Sequence, residues 1–169
     1  FDSNHDDLVN ISVKNHKHGL DNEYAHIRKD VSFEKASSGF MVADPLTLYD
    51  CCPTSDGAST VILAADHIAK KLCEDPVWVR GSGAGSDHLA LHDRDSITQM
   101  QATQKAASSA YKQSGLTAND IDLAEVHDCF TIAELLATED LGFTGRGTGG
   151  RFAREGLGRR NEGDVCINP

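Results

Sequence analysis

The stretch Ile121–Gly142, IDLAEVHDCFTIAELLATEDLG, decides how the rest of the chain is read. Ile121–Val126 has the make-up of a short strand, and it delivers His127, Asp128 and Cys129 to a tight junction. A helix follows at once, with Thr131 and Glu134 in capping-box spacing. Phe130, Ala133, Leu136 and Ala137 are placed to form its inner face, and Gly142 stops it. Titratable groups at the C-terminal end of a strand, beside a helix N-terminus, are the usual make-up of an α/β active site.

Working outward, Thr117-Ala118-Asn119-Asp120 reads as a turn into that strand. Before it, Ser96–Ser114 carries Ile97, Met100, Ala107, Ala110 and Tyr111 on one helical face, with Gly115 at the C-cap side. Ser59–Ala65 is expected as a buried strand, Asp66–Cys73 as a short helix and Val77–Ser82 as a second strand. Gly81, Gly83 and Gly85 then suggest a flexible loop to His92. Pro45 makes Met41–Asp50 a loop or edge segment rather than a central strand. Asp6–His18 is helix-compatible, with Leu8, Ile11, Val13 and His16 as a partial stripe and Gly19 as its stop. Leu20–Ser38 is polar, anchored by Tyr24, Ile27, Val31 and Phe33, and reads as an irregular or helical excursion. After Gly142 the chain is glycine-rich and basic until Asn161, and Val165–Ile167 begins like a strand. This order argues for α/β layers.

The bulk properties narrow the function. The 169 residues suffice for one domain, or part of a larger one. A formal charge of -10 argues against general nucleic-acid binding, which needs lysine and arginine for phosphate. No apolar run is long enough to span a membrane, and the start lacks the basic flank and apolar core of a signal peptide. The absent initiator methionine and the ending at Asn168-Pro169 suggest a fragment. The five cysteines, at 51, 52, 73, 129 and 166, form neither a disulfide framework nor a zinc pattern. Reduced thiols in the cytoplasm are expected.

Several constellations could carry chemistry. Cys129 beside His127 invites a nucleophile reading, though a packed cysteine at a helix start is the stronger alternative. His127 ends a strand where its ring N–H can donate to a developing oxyanion; the alternative is a hydrogen-bonded structural histidine. In the turn Cys52–Gly57, small side chains let a thin ligand approach the backbone, and a plain Asp-Gly turn fits equally well. His88 and His92 have metal-ligand spacing but lack a third ligand, so no metal is expected. His16, His18 and His26 read as surface or partly buried histidines rather than ligands. The arginines from 146 to 160 could meet phosphates, or form a solvated basic loop.

Four segments carry a family resemblance: VKNHKHGLDNEYAH (13–26), MVADPLTLYDCCPTSDGAS (41–59), EVHDCFTIAELLATEDLGF (125–143) and EGDVCINP (162–169). Together they resemble the thiolase superfamily in its sterol-carrier-protein-type and archaeal acetyl-CoA acetyltransferase branch, with the HDCF and SDGA blocks as the specific elements. The resemblance implies a thiolase-like α/β fold with two similar halves, each built around a mixed five-stranded sheet. Residues 1–45 would be the end of the loop domain, 46–75 the last strand and helix of the N-terminal half, and 76–169 the first part of the C-terminal half.

The same resemblance implies site residues. His127 corresponds to the HDCF histidine, which replaces the asparagine of the classical NEAF motif and helps form an oxyanion hole for a thioester carbonyl. Cys52 and Ser55 lie where the family packs against the pantetheine arm of coenzyme A. The implied activity is acyl-CoA C-acyltransfer, by Claisen condensation or reverse thiolysis, with acetyl-CoA as substrate and no covalently bound cofactor. A homodimer or homotetramer, with further thiolase-complex subunits, would be the assembly. The family's acylated cysteine precedes Phe1 in the alignment, and its GHP histidine and CxG cysteine follow the NPSGGL turn. The chain by itself is therefore expected to lack catalysis and to expose a large half-domain face. The alternative is a non-catalytic CoA-binding subunit that works with a partner chain.

Overall fold

The computed structural model describes residues 3–169; the reading of Phe1 and Asp2 lies outside the described residues. The fold is built around two helices that meet at the centre. Helix α1, His5–Gly19, begins at an Asn4–Asp7 capping box, with acidic residues in its first turn and His16, Lys17 and His18 in its last. Both charge placements suit the helix dipole. Helix α5, Thr131–Asp140, packs across it, and Leu8, Ile11 and Leu135 form the shared apolar contact.

The remaining elements are short. Helix α2, Phe33–Ser37, closes a second cluster of Val9, Val31 and Ala36 against α1. Strands β1, Met41–Ala43, and β2, Leu46–Thr47, form an antiparallel hairpin that fits the edge segment expected around Pro45. A 3-10 turn at Leu48–Asp50 then delivers Cys51 and Cys52 to the start of α5. Helix α3 spans Asp66–Leu72. Helix α4, Gln101–Ser114, ends at Gly115 with φ +74, in the left-handed region that glycine adopts without a Cβ penalty. Strand β3, Leu123–Ala124, pairs in parallel with β4, Cys166–Ile167. Between α5 and β4 lies helix α6, Gly149–Arg154, inside the tail that composition alone suggested was irregular. Phe152 of α6 joins Val165 and Ile167 in a third cluster under Ala124 and Val126.

Several expectations are corrected. Ser59–Ala65 and Val77–Ser82 are not strands. A strand is defined by its ladder, and neither segment has a ladder partner among the described residues. Their apolar side chains are accordingly bare: Val61, Ile62 and Leu63 are 79–87% exposed and Val77 is 98% exposed. The helix expected from Ser96 starts at Gln101, because Asp140 of α5 accepts from the Met100 N–H at 2.8 Å and fixes the entry there.

The inner face of α5 is as expected at Ala137, which is buried, and at Leu136, which packs on the α1–α5 cluster, but it differs elsewhere. Phe130 is 41% exposed, while Thr131, Glu134, Leu135, Thr138, Glu139 and Asp140 are buried. Thr131 and Glu134 make no capping box: Thr131 Oγ1 donates to Asp50 Oδ1 at 2.8 Å, and Glu134 turns inward. A polar helix face can be buried this way only because each group on it finds a partner.

The glycines at 81, 83 and 85 lie in a segment without helix or strand that packs closely on α4. They run antiparallel to α4, each over one turn of its backbone. A Cβ on Gly81, Gly83 or Gly85 would fall 2.4, 2.0 or 2.3 Å from the carbonyl oxygen of Ala110, Ala106 or Ala102, respectively. Two extended residues advance about 6.6 Å and four helical residues about 6 Å, so the two repeats stay in step.

Candidate functional site

The site forms where β3 ends and α5 begins. Asn168, just past β4, sits at φ 52, a left-handed conformation that asparagine tolerates. From there its N–H donates to Ala124 O at 2.9 Å, and its Oδ1 accepts from the Val126 N–H at 2.7 Å. The backbone leading to His127 is thus pinned on one side by the end of β4. On the other side the Cys52 N–H donates to Cys129 O at 3.2 Å, and Cys51 bridges to Phe130. Cys52 therefore meets Cys129 at this corner, with His127 two residues before it in the chain. His127 is exposed, and its ring makes no hydrogen bond among the described residues.

Beside this corner lies an apolar groove of about 320 Å³, lined by His16, Ile27, Leu48, Tyr49, Cys52 and Pro53 among others. His16 packs edge-on against Tyr49, with ring centroids 5.8 Å apart. Ser55 lies farther along the exposed turn, and its Oγ shares a hydrogen bond with His26 Nδ1. Cys52 is thus brought to Cys129, two residues past His127, whereas Ser55 reaches His26. All five cysteines are free thiols. Burial pushes the Cys51 thiol up from its ordinary value, with the Asp50 carboxylate adding to the effect.

Beneath the corner is a buried polar network. Lys14 of α1 pairs with Glu134 Oε1 at 3.0 Å, and the two side chains are only 6% and 3% exposed. Lys14 Nζ also donates to Ile167 O at 2.7 Å and to the Asn15 side-chain oxygen. The Asn15 amide donates to Glu134 Oε2 at 2.8 Å and to Asp128 Oδ2 at 2.7 Å. Asn168 Nδ2 adds a bond to Glu134 Oε2 at 3.2 Å. Burial raises the Glu134 pKa, opposed by Lys14 and the hydrogen bonds. Composition and spacing did not single out this network. Its signal was present in α1, where Asp7, Ile11, Lys14 and His18 fall on one helical face and all are buried.

Asp50 is the other buried carboxylate. It accepts from Thr47 N–H and Oγ1, from Thr131 Oγ1 and from His5 Nε2. Burial opposes its ionisation, but these donors outweigh that and hold its pKa below the usual value. The tail arginines are mostly engaged internally: Arg146 with Glu139 and Asp140, Arg154 with Asp7, and Arg160 with Asp21. They tie the tail to α1, to Asp21 just past it and to α5, while Arg146, Arg151 and Arg154 remain exposed.

His18 is buried, with its tautomer set by its surroundings. Its Nδ1–H donates to Asn168 O at 2.8 Å, and its Nε2 accepts from the Arg160 N–H at 3.2 Å. A proton on Nε2 would confront that N–H. Burial lowers the His18 pKa below 6.5, with Lys14 and Arg160 adding to the effect against the hydrogen bond to Asn168. A histidine whose folded pKa is lowered binds fewer protons folded than unfolded, so its stabilisation is lost as pH falls through the ordinary histidine range. Urea midpoints should therefore drop between about pH 7.5 and pH 5.5. His18→Gln keeps a donor and an acceptor but cannot titrate, and should flatten the drop. An unchanged slope in that variant would show that other groups cause it.

The fold and site together define an α/β protein whose exposed imidazole stands three residues past the C-terminal end of a parallel strand. A family profile described as "Thiolase C-terminal domain-like" matches residues 83–169, half of the chain. The chain belongs to the thiolase superfamily. It is 44% identical to an acetyl-CoA acetyltransferase of Methanothermobacter thermautotrophicus, over all of this chain and 44% of that protein. It is 38% identical to the benzoylsuccinyl-CoA thiolase subunit BbsB of Thauera aromatica, over 96% of this chain and 42% of that one. A solved structure titled "Ltp2-ChsH2(DUF35) aldolase" superposes with a TM-score of 0.84 at 27% identity, covering 96% of this chain and 44% of that one. The fold is thus thiolase-like, and the chain spans less than half the length of these relatives. No helix among the described residues is long and apolar enough to cross a membrane.

Proposed function

We propose that this chain is part of a thiolase-type acyl-CoA C-acyltransferase acting on coenzyme A thioesters in the cytoplasm. The observation that carries the reading is His127, an exposed ring with no hydrogen-bond partner among the described residues, on a backbone pinned from both sides. A fixed donor left free is suited to an oxygen that gains charge during reaction. Acetyl-CoA is the proposed substrate, on the strength of the acetyltransferase relative. Cys52 and Ser55 are proposed to face the pantetheine arm. The neighbouring apolar groove supports this for Cys52, which lines it. The division at residues 45 and 75 into loop-domain end, N-terminal half and C-terminal half is proposed alongside, and the profile match at 83–169 falls within the last part. The complete protein is proposed to be a homodimer or homotetramer.

Thiolysis of acetoacetyl-CoA by the protein that carries this chain tests the reading. Free CoA cleaves the substrate into two acetyl-CoA, and loss of the enolate absorbance should follow CoA addition. A second reading is favoured by two names among the similar proteins, one a "subunit" and one a two-component assembly. There the chain would be a non-catalytic CoA-binding subunit of a larger complex. Absent thiolysis, with a second protein that co-purifies in fixed ratio, would select it.

A further inference from the structure

We propose that Asn15 is a positioning residue for His127, acting through Asp128; this rests on the reading of His127 given above. Asn15 joins the side chain of Asp128 to the buried ion pair, as Asn168 joins the Val126 N–H to it. Its two amide hydrogens go to Asp128 Oδ2 and Glu134 Oε2, at 2.7 and 2.8 Å, and its oxygen accepts from Lys14. Every polar atom of the amide is used, so its orientation is fixed. Lys14 is itself held by Glu134 and by Ile167 O, and both of those partners are buried. The amide therefore stands on a rigid support.

The consequence for His127 follows from chain geometry. Val126 and Asp128 are both half-buried, and His127 between them is exposed. Neighbouring residues in extended backbone point to opposite sides. Anchoring Asp128 inward therefore turns His127 outward, and it limits rotation of the junction between β3 and α5. Among the described residues His127 has no hydrogen-bond partner to hold its direction. Asn168 pins the backbone before His127, and Cys52 pins it after, but the side chain adjacent to His127 is held by Asn15.

The test is a double-mutant cycle in the complete acyltransferase. Asn15→Ala should lower kcat about 10- to 100-fold, the scale of a misplaced catalytic group, with KM within about twofold. In a His127→Ala background the same change should cost little further, because its effect travels through His127. Asp128→Ala cuts the link at its other end while leaving Lys14, Asn15 and Glu134 together, and should reproduce the effect if Asn15→Ala does not fold. Asp128→Asn still accepts from Asn15 and should retain most activity. Equal losses in both backgrounds, or a change confined to KM, would overturn the proposal.

A second readout does not depend on acyl transfer. In protein with labelled histidine, side-chain couplings of His127 should report one rotamer in the wild type and averaging in Asn15→Ala. An averaged His127 in the wild type, or one unmoved by the substitution, would also overturn it. If no variant or parent turns over any acyl-CoA while the rotamer responds as expected, the functional reading fails and the positioning holds.

Discussion

Replacing His127 by alanine should lower the turnover of the proposed acyltransferase about 10²–10³-fold, the usual loss for one oxyanion donor, and leave KM within about twofold. The ring is exposed, three residues past a pinned strand, and makes no hydrogen bond among the described residues. Its removal should leave folding intact, so the loss should appear in kcat with an unchanged urea midpoint. His127→Asn supplies an amide N–H in place of the ring and should recover part of the rate. Steady-state thiolysis kinetics on the three proteins check this. Near-normal turnover by His127→Ala would remove the residue from the mechanism.

The second large effect is on stability. Lys14→Met leaves Glu134 buried without its cation and should cost about 3–5 kcal/mol. The pair sits at 3.0 Å, almost wholly out of water, beneath the point where α1, α5 and β4 converge. Replacing both members, as Lys14→Met with Glu134→Leu, should recover a large part of that loss, since an apolar pair avoids the desolvation of two charges. Recovery would be incomplete, because Asn15 and Asn168 would then lack an acceptor. Urea unfolding of the single and double variants measures this. A double variant no more stable than Lys14→Met would show that the penalty lies elsewhere in the network.

The sequence was informative wherever structure is local. Helix α1 carries its own cap and stripe, α5 ends at Gly142, and the chain direction into His127 follows from the apolar run before it. The four quoted segments were enough to place the chain in its superfamily. What could not be read locally was pairing. Ser59–Ala65 has strand composition, but a strand also needs a neighbour, which the segment itself does not specify. Glu134 was given a capping function because its spacing from Thr131 is correct for one. Its actual partner is 120 residues away in the chain, and nothing in the local pattern announces that distance. Asn15 lay within a quoted motif, yet its contacts to Asp128 and Glu134 appear only once α1 and α5 cross.

The contact of Gly81, Gly83 and Gly85 with α4 constrains how this protein can change. Most interfaces inside proteins tolerate drift because a larger side chain on one side can be matched by a smaller one opposite. Here the opposing surface is main-chain carbonyl oxygen at Ala102, Ala106 and Ala110. A carbonyl cannot be trimmed, so no second substitution can make room for a first. These three positions should therefore stay fixed across descendants even where everything around them diverges, with no compensating partner for a covariation search to find.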